Sequence, residues 1–190
     1  MSPEPTAPII EQASSGRAKC RGCGQLIAKG ALRLGERLPN PFGEGEMTLW
    51  FHVPCAAYKR PAPFLEAIKD TTAAIEQQSQ LEQVAHAGLA HRRVPRIDGV
   101  QRAPSGRARC RHCRELIEKD AWRIPLVYYE EGRFEPSGHI HLGCAQSYFE
   151  AADIVDRLAH FTPTLTAGDI ETIRTELANA GVVPPAAKES

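Results

Sequence analysis

The fold class this sequence predicts is a pair of small α+β units in tandem, and three observations carry it. The segment Ser15-Gly16-Arg17-Ala18-Lys19-Cys20-Arg21-Gly22-Cys23 returns ninety positions later as Ser105-Gly106-Arg107-Ala108-Arg109-Cys110-Arg111-His112-Cys113. Each copy is followed, after a little under thirty residues, by a His-x-x-Cys: His52 to Cys55 and His141 to Cys144. Between the cysteine clusters the apolar residues alternate as in strands, and after the last cysteine of each half they fall at helical spacing.

The repeat divides the 190 residues into units spanning 9–88 and 97–181, with a disordered tail at 1–8, a linker at 89–96 and a second tail at 182–190. Units this small bury modest cores and need a staple. The six cysteines could form three disulfides. Met1 to Pro8, however, has neither the basic start nor the apolar run of a signal peptide, so an intracellular, reducing compartment is expected: cytoplasm, nucleoid or nucleus. No apolar stretch approaches the roughly eighteen residues that span a bilayer, and no membrane partner is expected. In that setting the thiols read as metal ligands.

The formal net charge is zero, with 23 basic and 23 acidic residues, which by itself argues against a nucleic-acid partner. The distribution is uneven. From Ser14 to Arg33 the charges are Arg17, Lys19, Arg21, Lys29 and Arg33, with no acid; from Arg102 to Arg114 they are Arg102, Arg107, Arg109, Arg111 and Arg114. The acids gather in the last stretch, among them Glu150, Asp153, Asp156, Asp169, Glu171 and Glu176. Basic charge thus sits on the cysteine segments, where a phosphate-binding surface would use it.

In chain order, Ile9 to Gln12 reads as a short strand entering the first motif, matched by Ile97 to Arg102 in the second half. Leu32 and Leu34 alternate against Arg33; the turn formers Pro39 to Glu46 and then Met47 to Phe51 complete a hairpin. Its counterpart runs from Ile124 to Tyr129, turns at Glu130-Glu131-Gly132-Arg133 and returns through Phe134 to His141. Pro63 suits a helix start, Phe64, Leu65 and Ile68 share a face, and Ile75, Leu81, Val84 and Ala85 extend the stripe to a stop at Gly88. In the second half Tyr148, Phe149, Ala152, Val155 and Leu158 form a helical stripe that breaks at Thr162-Pro163. Thr166 with Asp169 makes a helix-start box, and Ile170, Ile173 and Leu177 line the last helix to Gly181. His91 to Arg96 reads as a basic connector with little capacity to pack.

A Cys-x-x-Cys turn places two sulfurs on one metal, and zinc takes four tetrahedral thiolate or imidazole ligands. The sets are Cys20, Cys23, His52 and Cys55, then Cys110, Cys113, His141 and Cys144, which predicts two zinc ions per chain. Four protein ligands leave no open position, so the zinc is structural. His139 is a rival to His141 in the second set. A redox dithiol would explain Cys-x-x-Cys but not the matched His-x-x-Cys, and neither copy continues as the haem-attachment motif.

Ser-Gly-Arg-Ala-x-Cys-x-x-Cys, followed by a Leu-Ile pair with Lys29 and Arg33 and then by Trp50-Phe51-His52-x-x-Cys55, is similar to the PARP-type zinc finger, found in tandem in poly(ADP-ribose) polymerase and singly in a DNA ligase. The resemblance covers roughly residues 9–88 and 97–181. It implies two tandem fingers, each a short antiparallel sheet followed by helices, that bind DNA breaks, nicks or ends by structure rather than sequence, as a repair-related sensor or adaptor working with a repair protein. It places phosphate contacts on Arg17 and Arg107 and base stacking on Phe42 and Met47. Arg21, Arg33 and Arg123 are assigned to the same DNA surface. In the second hairpin the stacking candidates are Tyr128, Tyr129 and Phe134, with Phe134 chosen.

The bland alternatives are a local mini-core for Phe42 and Met47 and salt bridges for Arg17 and Arg107. Glu44 and Glu46 flank the first tip, Glu130, Glu131 and Glu135 crowd the second, and Gly138-His139-Ile140 stands where the first half has Leu49-Trp50-Phe51. With both units assigned, no residues remain for a polymerase or ligase domain, and no acid/base constellation or phosphate loop appears, so a non-enzyme is expected. The competing function is a zinc-scaffolded adaptor for protein partners, which the zero net charge and the acidic C-terminal helices favour.

Overall fold

A computed structural model of the chain describes residues 6–151 and 153–180. Ala152, Gly181 and the 182–190 tail therefore lie outside the described residues, as do the first five positions of the N-terminal tail. The structure forms two compact units, one of residues 1–96 with 128–135, the other of residues 97–127 with 136–190.

In the first unit β1 (Ile9–Gln12), β2 (Leu32–Pro39) and β3 (Glu46–His52) form an antiparallel sheet with β2 in the centre. The register pairs Ile10 with Leu34, Leu34 with Phe51 and Gly35 with Trp50. Alternation assigns the faces: Leu34, Leu49 and Phe51 are buried, while Trp50 and His52 point to the opposite side. A side chain at Gly35 would meet the Trp50 ring at 2.7 Å. The glycine thus lets the indole lie flat across the sheet. Thr6, within the predicted tail, is anchored: its amide and hydroxyl both donate to Glu46 Oε1, at 3.2 and 2.5 Å.

Three helices follow, α1 (Val53–Lys59), α2 (Pro61–Asp70) and α3 (Gln78–Ala90). Each of the first two has proline in its opening turn, where a missing N–H costs nothing. The stripe expected to run on from Ile68 is interrupted by a non-helical segment at 71–77, and Leu81, Ala85 and Gly88 are the buried residues of α3. Gly88 is therefore no stop. It lies inside the helix, where an added Cβ would come within 3.3 Å of Pro95 and 3.4 Å of Pro61. The connector packs as well: Val94, in a 3₁₀ turn over Val94–Arg96, is 2% exposed.

The core face of this sheet is finished by residues 128–135. Their turn has Glu131 at φ 47° and Gly132 at φ 81°, the paired positive values of a type I′ hairpin. Gly132 is buried, and a Cβ there would strike Met47 Cε at 2.9 Å and Leu49 Cδ1 at 3.1 Å. Phe134 meets Phe51 edge to face with centroids 6.3 Å apart and tilts on Tyr129 at 5.0 Å. The Arg60 guanidinium stacks on Tyr129 at 3.7 Å and makes a two-pronged bond to the buried Glu36 carboxylate. Burial, with the Glu36 charge beside it, pushes the Tyr129 hydroxyl up to about 12.

In the second unit the strand order is β4 (Gln101–Arg102), β5 (Trp122–Glu130) and β6 (Arg133–His141). Of the predicted lead-in only Gln101 and Arg102 pair as a strand, with Ile97 bridged to Leu126. Ile117, Ile124, Ile140, Leu142 and Phe149 build the core beneath α4 (Ala145–Phe149), α5 (Val155–Phe161) and α6 (Ala167–Ala180). The break at Thr162 is used: its hydroxyl accepts from Val100 N–H at 2.9 Å. The helix-start box also forms, with Asp169 N–H donating to Thr166 Oγ1 and Thr166 N–H to Asp169 Oδ2, at 3.1 and 3.0 Å.

Replacing Gly88 by leucine is expected to destabilise the metal-loaded protein by about 1–3 kcal/mol in chemical denaturation, because the side chain has no space against the two prolines. Unchanged stability would show that this packing is loose.

Candidate metal centres and the surface they hold

Each centre is assembled from a tight turn and from the junction between a strand and the segment after it. In the first, Cys20 N–H donates to Gln25 O and Gly24 N–H to Cys20 O, both at 2.8 Å. Gly24 closes the turn at φ 75°, which glycine adopts without steric cost. Arg21 N–H donates to Trp50 O at 2.8 Å and fastens the turn to β3. His52 ends that strand, and Cys55 follows on the first turn of α1, so a strand-to-helix junction sets the His-x-x-Cys spacing.

The four ligand atoms of Cys20, Cys23, His52 and Cys55 lie within 4.8 Å of one another, as do those of Cys110, Cys113, His141 and Cys144. His52 Nδ1 is 3.4 Å from Cys23 Sγ and 3.9 Å from Cys55 Sγ; His141 Nδ1 is 3.3 Å from Cys113 Sγ and 3.9 Å from Cys144 Sγ. A zinc tetrahedron with bonds of about 2.3 Å to sulfur and 2.0 Å to nitrogen has edges of about 3.5–3.8 Å. The donors and their spacing fit zinc. In the second centre His141 Nε2–H donates to Leu116 O at 3.0 Å, which leaves Nδ1 unprotonated and facing the thiols. His139, the rival ligand, turns away: its Nε2 lies 3.4 Å from Gln101 Nε2.

The electrostatics are those of a cation site. Hydrogen bonding from the Cys55 thiol, helped by the His52, Cys23 and Gly22 amides, brings Cys20 down to about 4 against the penalty of burial. The same bond pushes Cys55 up. In the second centre burial opposes ionisation of Cys110, but the Cys113, His141 and His112 amides bring it down to about 7, while burial and the Cys110 charge push Cys144 up to about 12. Without a cation, three thiols cannot all ionise together; a dication removes that conflict. The two centres differ in shelter: Cys20 and Cys55 are buried, whereas Cys113 is exposed.

The residues expected around the centres separate into two groups. Arg17, Arg21 and Arg107 are exposed, and Phe42 is 81% exposed at the tip of the first hairpin. Its loop is braced by Asn40 Oδ1, which accepts from Phe42 N–H at 3.0 Å. The others are engaged within the protein. Arg33 is 7% exposed, paired with Glu11 at 2.6 Å and laid over Trp50 at 3.5 Å. Arg123, at the same repeat position, is 8% exposed, and burial lowers its affinity for its proton. Met47 faces Gly132, and Phe134 packs on Phe51, so neither projects as an exposed tip. Of the three aromatic candidates in the second hairpin Tyr128 is the exposed one, at 40%. Two residues to which the sequence assigns no site role stand out: Leu26, 59% exposed, and Leu116, 48% exposed, at equivalent positions after each turn. Their place in the repeat was the available signal.

Residues 11–90 match the family model described as the poly(ADP-ribose) polymerase and DNA-ligase Zn-finger region. A poly [ADP-ribose] polymerase of Sarcophaga peregrina is 30% identical over 138 residues, 64% of this chain and 14% of the relative. The polynucleotide 3'-phosphatase ZDP of Arabidopsis thaliana is 26% identical over 193 residues, 86% of this chain and 27% of the relative. Poly [ADP-ribose] polymerase 1 of Gallus gallus is 29% identical over 197 residues, 88% of this chain and 19% of the relative. The chain thus spans between about a seventh and a quarter of these relatives' lengths. Among the described residues no helix is long and apolar enough to cross a membrane.

If the two ligand sets act separately, Cys23→Ser and Cys113→Ser should each lower the zinc content from two ions to one in native mass spectrometry, and the double variant should hold none. Loss of both ions on either single change would contradict that independence.

Proposed function

From the premise that residues 11–90 are a PARP-type zinc finger, and that the chain carries the finger's Cys₃His set twice, we propose that the protein is a zinc-dependent binder of DNA breaks, nicks or ends acting in repair. The observation that carries this reading is the surface of the first finger. From Ser14 to Arg33 there is no acid, and Arg17, Lys19, Arg21 and Lys29 are all exposed. Phe42 projects at 81% exposure on the same finger. Guanidinium and ammonium groups hold phosphates without regard to sequence, and an exposed aromatic ring stacks on any base whose neighbour is missing.

The division of labour follows from the side chains. The first finger reads the break, with Arg17 on a phosphate and Phe42 on the exposed base. The second contributes phosphate contact through Arg107, its turn carrying Glu115 and Glu118 and its hairpin Glu130 and Glu131. Two zinc ions hold the two turns in shape, through Cys20, Cys23, His52 and Cys55 and through Cys110, Cys113, His141 and Cys144. A reducing compartment, which keeps these thiols free to bind zinc, goes with this reading.

A second reading has its own observation. Between α2 and α3 lies a groove of about 850 Å³, floored by Leu65, Ile68 and Leu89 and edged by Glu66, Lys69 and Glu82. It suits a protein partner, and such a partner is compatible with DNA binding elsewhere on the finger.

The test is affinity for nicked, blunt-ended and closed circular DNA at two salt concentrations. Tighter binding to nicked and blunt DNA than to closed circles is expected; equal, negligible binding to all three would overturn the reading. Arg17→Ala should weaken binding to every DNA and reduce the log–log salt slope by about 0.9. Phe42→Ala should cost about 1–3 kcal/mol on nicked DNA with the slope unchanged.

A further inference from the structure

We propose that Leu26 is an additional DNA contact of the first finger, an apolar side chain that lies against a deoxyribose between phosphates held by Arg17 and Lys19. The inference rests on the DNA-binding reading and extends it to a residue that the motif carries only as half of its Leu-Ile pair, with no role assigned. A single exposed leucine is ordinary on a protein surface. Here the same repeat position is exposed in both copies, Leu26 at 59% and Leu116 at 48%, and in both it stands opposite a cation. Leu26 is bridged antiparallel to Lys19, and Leu116 to Arg109.

The turn's backbone settles where these side chains go. Cys20 N–H donates to Gln25 O at 2.8 Å and Ile27 N–H to Ala18 O at 2.9 Å, flanking the Lys19 and Leu26 pair. Opposed residues of an antiparallel pair share a face, and residues two apart on one strand share it as well. Ile27 is 0% exposed and enters the core, so Leu26 turns outward with Lys19 and Arg17. Among the described residues Arg17, Lys19, Arg21 and Lys29 have no ion-pair partner. An apolar residue framed by unpaired cations fits a polyanion with apolar rungs, which is what the sugar edge of a DNA strand presents. In the second copy Glu115 and Glu118 flank Leu116, so the same contact there is weaker.

The experiment titrates the zinc-loaded full chain into a fluorescent nicked duplex at several salt concentrations. Leu26→Ala is expected to weaken binding about fivefold, with an unchanged salt slope and an unchanged unfolding midpoint. Leu26→Met should stay within about twofold of the parent, and Leu116→Ala should lose less than Leu26→Ala. If the parent binds nicked DNA and Leu26→Ala binds equally well, the inference fails while the DNA reading stands. A loss accompanied by a lowered unfolding midpoint, or a larger loss for Leu116→Ala, would also overturn it. A parent that binds no nicked DNA overturns the DNA reading and this inference together.

Discussion

Everything in each repeat depends on closing a cysteine turn onto a strand end about thirty residues away in sequence. The first turn is tied to β3 through Arg21 N–H and Trp50 O, and Cys20 Sγ accepts from His52 N–H at 3.3 Å. These few polar bonds are each worth roughly 0.5–1.5 kcal/mol net. A structural zinc at neutral pH is worth on the order of 10 kcal/mol or more, comparable to the whole stability of a small domain. The ligand cluster is thus the dominant cross-link between the turn and the sheet, and the turn's basic face has a fixed shape only while the cluster is closed.

The two copies keep this closure and differ in what surrounds it. In the first, Arg33 is neutralised by Glu11 and capped by Trp50. In the second, Arg123 meets Gln101 across the sheet in place of Glu11, and His139 stands where Trp50 does; burial and the nearby Arg123 charge lower the affinity of His139 for its proton. The hairpin tips diverge as well. One leaves Phe42 in solvent, while Tyr129 and Phe134 of the other are spent on packing against Phe51 and Arg60. The metal-ligand set recurs in both copies, while the surfaces around it differ.

What the sequence made legible was local or periodic. The two Cys₃His groups that the structure gathers follow from spacing, the second hairpin turn from Glu131-Gly132, and the last helix start from Thr166 with Asp169. What it concealed depends on partners distant in the chain. Arg33 read as a surface cation because nothing nearby shows that Glu11, 22 positions earlier, lies on the adjacent strand. Gly88 read as a helix stop because its reason for being glycine is contact with Pro61 and Pro95. Phe134 read as an exposed tip because a hairpin end is usually solvated, whereas here the turn is seated on Met47 and Leu49. Leu26 read only as half of a Leu-Ile pair because composition cannot distinguish an outward leucine from an inward one; the burial of its neighbour Ile27 decides it.

In the proposed function the metal gives the basic turn the shape with which it holds DNA. The most direct measurement is a zinc titration of metal-free protein in the presence of nicked duplex, following circular dichroism and DNA-bound fluorescence in the same sample. Helicity and DNA binding are expected to rise together and level off at two zinc ions per chain. DNA binding of full strength before any zinc is added would contradict it, as would folding completed by zinc with no gain in binding.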